Sequence, residues 1–300
     1  MTNICPLSGS VFETPFVSVI IPHYNDLKRL SLCLDAVRSQ NWPSDRMEVI
    51  VADNMSSQGP AAIDHIIAGR AKLVFAEEKG AGPARNCAVG AATGEILAFT
   101  DADCLPDTEW LERGVEALSG ADIIGGRVDV MITHDNLLNP AEAFEVVYAF
   151  NNRHYVEKLN FTGTGNLFCH RAVFSAVGPF KVGMSEDLEW SRRAQAKGFS
   201  LRYCETAIVG HPARENWDQL LKKWARINRE TFALSPPTLV HRLRFLGRAW
   251  LMPLSIIAHA PRIWRNSVLT GARDRWAALQ GLVGLRLWRM IDAHRIVIGR

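Results

Sequence analysis

The sequence predicts an α/β protein: a doubly wound, mostly parallel sheet with helices on both faces, followed by a C-terminal helical tail. Three observations carry that prediction. Four short apolar runs alternate with helical patterns over the first 120 residues. Polar clusters fall where three of those runs end. Residues 241–300 then change character, with eleven Arg, no Lys and two acids, a net of +9 in a 300-residue chain whose total is only +3. The preceding 240 residues are therefore net acidic.

Each element has its own signal. Val17–Ile21 is a β-branched run, and Leu27, Leu30, Leu34 and Val37 follow at helical spacing. Glu48–Ala52 reads as a second strand, with a helix near 61–68. Lys72–Phe75 is a third, with a helix near 83–92. Glu95–Thr100 is a fourth, with a helix near 108–118. Short, nearly uninterrupted apolar strands between helices indicate a parallel sheet buried on both faces. After residue 120 the rhythm loosens. Asp122–Val130 is expected as a strand and Glu142–Tyr155 as one long helix. The Gly-rich piece Thr162-Gly-Thr-Gly-Asn166 leads to a short helix at Arg171–Val177. Glu186–Lys197 is helical and stops at Gly198, Ser200–Val209 is a strand, and Trp217–Thr231 is a helix ending before Pro236-Pro237.

Composition excludes several classes. Hydrophobic residues make up 48% and charged residues 22%, which rules against disorder and fibrous repeats. Cysteines at 5, 33, 87, 104, 169 and 204 form no CxxC pair and are too dilute for a disulfide scaffold, so free thiols in a reducing compartment are expected. The first fifteen residues hold no Lys or Arg and no apolar core, so no secretory signal is expected. No uncharged apolar run is long enough to span a bilayer.

The chemistry lies at the strand ends. Strand one runs into Pro22-His-Tyr-Asn25, strand two into Asp53-Asn54, and strand four into Asp101-Ala-Asp103. A single Asp after a strand is often a helix cap or turn residue. Three such clusters on one sheet edge make a site, because ligands of open α/β sheets bind outside the carboxyl ends of the strands. Asp101 and Asp103, two apart in an extended tip, point the same way and repel each other. A hard divalent cation with oxygen ligands relieves that repulsion and also binds a diphosphate.

These residues resemble a known family. Val17-Ser-Val-Ile-Ile-Pro-His-Tyr-Asn25, Val49-Ile-Val-Ala-Asp-Asn54, Gly80-Ala-Gly-Pro-Ala-Arg-Asn86, Gly94–Asp103, Gly163–Phe168, Ser185–Trp190 and His211 together resemble family-2 glycosyltransferases of the GT-A fold. The likeness spans roughly residues 16–232. It implies that Pro22, Tyr24, Asn25 and Asp53 hold the nucleoside, with Asp53 bonded to the base. Arg85 and Asn86 would lie beside base and diphosphate. Asp101 and Ala102 would touch the donor. Asp103 and His211 would ligate Mg2+ or Mn2+. Asp187 of the Glu186-Asp187 pair would be the general base. Gly163, Gly165 and Asn166 would form a flexible wall near donor sugar and acceptor. Asn54 departs from the family, which often has a second Asp there. The pattern Gln219…Lys223-Trp224 echoes the QxxRW motif of processive members with the wrong spacing, so addition of a single sugar is expected.

The implied reaction is inverting transfer from a nucleoside-diphosphate sugar, expected to be uridine-linked, to a hydroxyl of a lipid-linked or glycan acceptor. Three alternatives stay open on the residues alone: a nucleotidyltransferase on a related sheet, a glycoside hydrolase with two carboxylates, and a non-catalytic nucleotide-sugar-binding protein. The first lacks its Gly-rich turn after strand one.

The boundary is expected near 240, with residues 1–240 catalytic and 241–300 a basic amphipathic membrane-associating region. A first apolar segment, 245–260, is interrupted by Arg248 and Pro253, and its uncharged stretch Ala249–Ala260 is too short to span a bilayer. In a second, Trp276–Ile298, the residues Trp276, Leu279, Leu282, Val283, Leu287, Met290 and Ile291 largely share a side, accompanied by Arg286, Arg289 and Arg295. Apolar faces with Trp and Arg flanks suit an anionic membrane surface, which implies a cytoplasmic protein held peripherally on the inner face. Packing on the catalytic body and an oligomer interface are the competing readings, and nucleic acid is not an expected partner because the helices are too apolar.

Overall fold

A computed structural model describes residues 14–182, 185–233, 236 and 238–299. Most of the segment expected to lack a secretory signal, together with Cys5 and Pro237, lies outside the described residues. The chain opens as β1 (Val17–His23), α1 (Leu27–Arg38), β2 (Met47–Asp53), α2 (Pro60–Ile67), β3 (Lys72–Phe75), α3 (Ala81–Gly90) and β4 (Ile96–Thr100). Those strands are parallel, in the order β3-β2-β1-β4. The chain reverses direction across the sheet between β1 and β4, which opens a crevice at their carboxyl ends.

The second half follows as β5 (Leu105–Pro106), α4 (Trp110–Ala117), β6 (Ile123–Met131), α5 (Pro140–Tyr148), α6 (Asn152–Leu159), β7 (Asn166–His170), α7 (Arg171–Val177), α8 (Glu186–Ala196), β8 (Leu201–Pro212) and α9 (Trp217–Ala233). Here the expectation of a mostly parallel, open sheet needs correcting. β7 inserts between β4 and β6 antiparallel to both, and β5 runs antiparallel to β8. The full order is β3-β2-β1-β4-β7-β6-β8-β5, a mixed sheet that curls toward a half-barrel. One cause is the register shift at Gly126/Arg127, where Gly126 pairs with Cys204 but Arg127 with Ile208. Extra residues on one strand bend it and increase its twist.

Alternate residues of the central strands face two apolar layers. Val17, Val19, Ile21 and Ala98 pack with Leu30 and Leu34 of α1 and Trp110 of α4. Ile20, Leu97 and Phe99 pack with Ala84 and Ala88 of α3, Phe174 of α7 and Trp190 of α8. The expected helix over 142–155 is two helices. Asn151 accepts the His154 amide at 3.3 Å and starts a new helix there, with Phe150 left at the break. Five thiols, at Cys33, Cys87, Cys104, Cys169 and Cys204, are free.

The tail forms α10 (Leu239–Trp250), α11 (Met252–His259), α12 (Pro261–Arg265) and α13 (Ala272–Ile298). The apolar positions of α13 do not all face outward. Ala278, Leu282 and Leu285 are buried against Ala141 and Phe144 of α5 and Leu220 of α9. The helices meet closely at Gly281, where a Cβ would lie 2.1 Å from the Pro140 carbonyl oxygen. No helix among the described residues is long and apolar enough to cross a membrane.

Candidate active site

The parallel register brings His23 level with Asp53 at the ends of β1 and β2. His23 Nε2 accepts the Asp26 amide at 3.2 Å, so its ring proton sits on Nδ1 and is donated to Asp53 Oδ1 at 2.9 Å. Asp53 also accepts from Ser56 Oγ at 2.5 Å and the Ser56 amide at 3.0 Å. Asn25, at φ 56°, accepts the Ser57 amide at 2.8 Å and donates its own amide to Ser56 Oγ at 2.9 Å. These bonds tie the two loops into one rim. Pro22 lies half-buried in that rim, and Tyr24 stands exposed with Lys79 Nζ 5.8 Å above its ring. Asn54 donates to the Glu78 carbonyl at 2.7 Å and accepts the Gly80 amide at 2.7 Å. An ionised Asp there could not donate, which gives the family departure a physical reason.

Arg85 on α3 is the centre of a second group. Its guanidinium is buried and reaches Asp101 Oδ1 at 2.5 Å through Nη2 and Glu186 through Nη1. Burial opposes its charge, but the two carboxylates outweigh burial and raise its pKa. Glu186 Oε2 also accepts the Gly82 amide at 3.0 Å. Asp187 is placed differently. Its Oδ1 accepts from Ser185 Oγ and the Leu188 amide, and its Oδ2 has no hydrogen bond among the described residues. A Cβ on Gly163 would sit 3.8 Å from Asp187 Oδ2, and one on Gly165 would sit 3.1 Å from Asp101 Oδ2. Two glycines thus line the space over two carboxylates without filling it.

Asp103 and His211 form a third group. His211 sits near the end of β8 and its Nε2 lies 3.5 Å from Asp103 Oδ2. Its Nδ1 is 2.7 Å from the Pro212 carbonyl, which can only accept, so Nδ1 carries a proton and Nε2 is the ring atom that faces Asp103. Phe150, at the α5–α6 break, packs on the ring with centroids 4.9 Å apart. Cys104 completes a cluster whose candidate ligand atoms lie within 4.8 Å of one another. Burial first, then Asp101 and Asp103, push its thiol well above the usual range. A protonated sulfur is a poor ligand for a hard cation, whereas a carboxylate oxygen and an imidazole suit Mn2+, and the carboxylate suits Mg2+. Asp103 and His211 therefore fit the expected metal.

Ala102 is buried between these groups. Two expected site residues are used elsewhere. Asn86 donates to the Phe180 carbonyl at 2.8 Å and accepts the Phe180 amide at 2.9 Å, clamping that backbone segment. Asn166 is the first residue of β7, fully buried, rather than part of a flexible wall. Its amide donates to the carbonyls of Arg127 and Ala207 across the β6–β8 bulge and accepts from Trp110 Nε1 at 2.9 Å.

The cavity at the metal cluster, about 380 Å3, shows what sequence reading missed. Beside Asp103 and His211 it is lined by Arg29, Arg214, Lys222, Lys223 and Arg226. Gln219, Lys222, Lys223 and Arg226 are spaced i, i+3, i+4 and i+7, one face of α9. That spacing was the available signal. Buried Glu145 holds two of the cations, with Lys223 Nζ at 2.8 Å and Arg214 Nη1 at 3.3 Å, and also accepts the Arg214 backbone amide at 2.9 Å. Burial works against its charge, but Lys223 and Arg214 prevail and lower its pKa.

A sheet of this order, carrying acids after β4 and a histidine near the end of β8, defines a GT-A-like glycosyltransferase fold. Residues 18–182 match the family model for Glycosyl transferase family 2. The chain is 38% identical over 223 residues to glycosyltransferase AglE of Haloferax volcanii, covering 72% of each sequence. It is 24% identical over 244 residues to the probable glycosyltransferase YdaM of Bacillus subtilis, covering 75% of this chain and 58% of that one. In fold it resembles the mannosyltransferase PcManGT from Pyrobaculum calidifontis, solved with GDP-Man and Mn2+, at a TM-score of 0.60 and 18% identity over 96% of this chain and 88% of that one. The chain belongs to glycosyl transferase family 2 and is a glycosyltransferase.

Proposed function

We propose that this enzyme transfers a single sugar, with inversion, from a nucleoside-diphosphate sugar to a hydroxyl of a lipid-linked or glycan acceptor. The observation that carries the reading is the difference between adjacent acids. Glu186 is neutralised by Arg85 and the Gly82 amide, while Asp187 keeps one carboxylate oxygen, beside Gly163, unbonded among the described residues. In this reading Asp187 takes the proton of the acceptor hydroxyl as the acceptor oxygen bonds to the anomeric carbon. The bond from that carbon to the diphosphate breaks, and its electron pair leaves with the nucleoside diphosphate. Attack from the opposite face inverts the centre.

Asp103 and His211 would hold Mg2+ or Mn2+, whose charge favours departure of the diphosphate. The cationic face of α9, with Arg29 and Arg214, lies where it would take up the remaining negative charge. The rim formed by Pro22, Tyr24, Asn25 and Asp53 is the proposed nucleoside seat. Gly163 and Gly165 leave room for the donor sugar, and a side chain at Gly165 would crowd Asp101.

A panel of uridine, guanosine and thymidine diphosphate sugars, titrated by calorimetry with and without Mn2+, tests the reading. Metal-dependent binding of one class, lost in Asp103→Ala, is expected, with the uridine class the first candidate. The GDP-mannose complex of the Pyrobaculum protein makes the guanosine class the second. Pyrophosphate exchange instead of nucleoside diphosphate release would overturn sugar transfer in favour of nucleotidyl transfer.

A further inference from the structure

The tail divides into α13, which packs on the body, and α10–α12, which pack with one side and leave the other exposed. Val240, Leu243 and Trp250 of α10 and Leu254 and Ile257 of α11 are 57–76% exposed. Their spacing of three, seven, four and three residues follows the helical repeat, and Leu251, itself exposed, is the single residue between the helices. Trp264 and Val268 extend the exposed apolar set past α12. Nine of the twenty large exposed apolar residues among the described ones fall between Leu239 and Val268, so they are concentrated, not scattered.

The opposite side of these helices is fixed. Ala249, Ile263 and Leu269 are fully buried and Phe232 of α9 packs on Phe245 at 5.0 Å, while the mostly exposed Trp250 touches the His294 ring of α13 edge-on at 5.5 Å. The outer apolar ridge is therefore mounted on the folded body.

Charge selects the occupant. From Thr231 to Arg273 the sequence has no Asp or Glu. It has six arginines, at 242, 244, 248, 262, 265 and 273, all exposed and none in an ion pair among the described residues. One sign of charge flanking an apolar ridge with two exposed tryptophans is complementary to anionic headgroups over acyl chains.

We propose that α10–α12 form a docking surface for an anionic lipid bilayer, seated at the interface without crossing it. Of the two tail segments that the sequence suggested, this keeps the first, within 245–260, and sets aside the α13 face, part of which is buried on α5 and α9. The surface also adjoins the cleft. α9, whose cationic face lines the cleft, runs on to Phe232, which packs on Phe245 of α10. Docking through α10, which α9 joins to the cleft, would hold the cleft near the headgroups, where a lipid-linked acceptor resides. That last step rests on the transferase reading; the docking does not.

Vesicle sedimentation of the full chain, without donor or acceptor, tests the surface. Phosphatidylcholine vesicles are compared with vesicles also containing phosphatidylglycerol. The wild type is expected to pellet with the anionic vesicles, with a blue shift of tryptophan emission. The triple variant Trp250→Ala, Leu254→Asp, Ile257→Asp is expected to partition at least about tenfold less. The triple variant Arg242→Glu, Arg244→Glu, Arg248→Glu should lose the preference for phosphatidylglycerol. Circular dichroism and thermal melting confirm that both variants are folded. Wild-type protein that stays in the supernatant with anionic vesicles would overturn the proposal. So would a concentration-dependent dimer, abolished by the apolar triple variant, in a protein that ignores vesicles; the ridge would then join two copies.

Discussion

Arg85 on α3 is bonded to Glu186 at the start of α8, one hundred and one residues later in the chain, and the same guanidinium holds Asp101 at the end of β4. This bridge separates two neighbouring acids by role. Glu186→Ala is expected to lower the melting temperature, because a buried guanidinium loses one of its two carboxylates and the Gly82 amide loses its acceptor. Thermal unfolding monitored by circular dichroism measures it. An unchanged melting temperature would show that the bridge carries no stability.

Asp187→Asn should behave oppositely. Among the described residues its Oδ2 has no partner whose loss would destabilise the fold. Turnover is expected to drop by about 10²–10⁴, the usual worth of a positioned general base, while donor affinity and melting temperature hold. Single-turnover assays beside calorimetric donor titration separate these quantities, and full turnover in the variant would remove Asp187 from the role.

For the metal pair, Asp103→Asn and His211→Ala should each weaken Mn2+ binding by at least about tenfold, since even outer-shell changes have that size. Electron paramagnetic resonance of free Mn2+ reads the affinity directly. Phe150→Ala should weaken it less, because Phe150 packs on the imidazole without offering a ligand atom.

On the α9 face, Lys222→Ala is expected to raise the donor KM by roughly two- to tenfold with kcat little changed, the effect shrinking as salt rises. A KM effect that ignores ionic strength would place Lys222 outside the diphosphate's field.

Glu145 links stability to pH. Its folded pKa lies below the usual value of 4.5. The unfolded chain therefore binds the proton first as pH falls. The stability from this group is present above the unfolded pKa and is lost as pH falls through the folded one. Urea midpoints between about pH 6 and about pH 3 should fall more steeply for wild type than for Glu145→Gln. Parallel curves would show that the Lys223–Glu145–Arg214 cluster is not a source of acid sensitivity.

At the tail, Gly281→Ala is expected to cost about 1–3 kcal/mol, because its Cβ would meet the Pro140 backbone oxygen and push α13 off α5. Equilibrium urea unfolding gives the number. No loss would mean that α13 shifts freely and does not belong to the body.

Much of the fold was legible because its signals are local. Apolar runs of β-branched residues marked β1 to β4, and the acids after β2 and β4 could be placed at one sheet edge from strand order alone. β7 was hidden because a five-residue strand behind Gly-rich sequence carries too short an alternation to stand out. The division of the 142–155 segment into two helices turned on the Asn151 cap, which the apolar pattern overrode.

By itself the sequence determined the parallel half of the sheet, the acidic triplet after β4, the Glu186-Asp187 pair and the basic character of the tail. Each is a property of residue type and near spacing. The tertiary structure alone decided which acid is neutralised by Arg85, that Asn86 and Asn166 hold backbone, and that Lys222 and Arg226 share a cavity with His211. It also decided which apolar face of the tail is buried and which stays exposed. Those outcomes depend on contacts between residues distant in the chain, and periodicity shows that a helix has an apolar side without showing what that side meets.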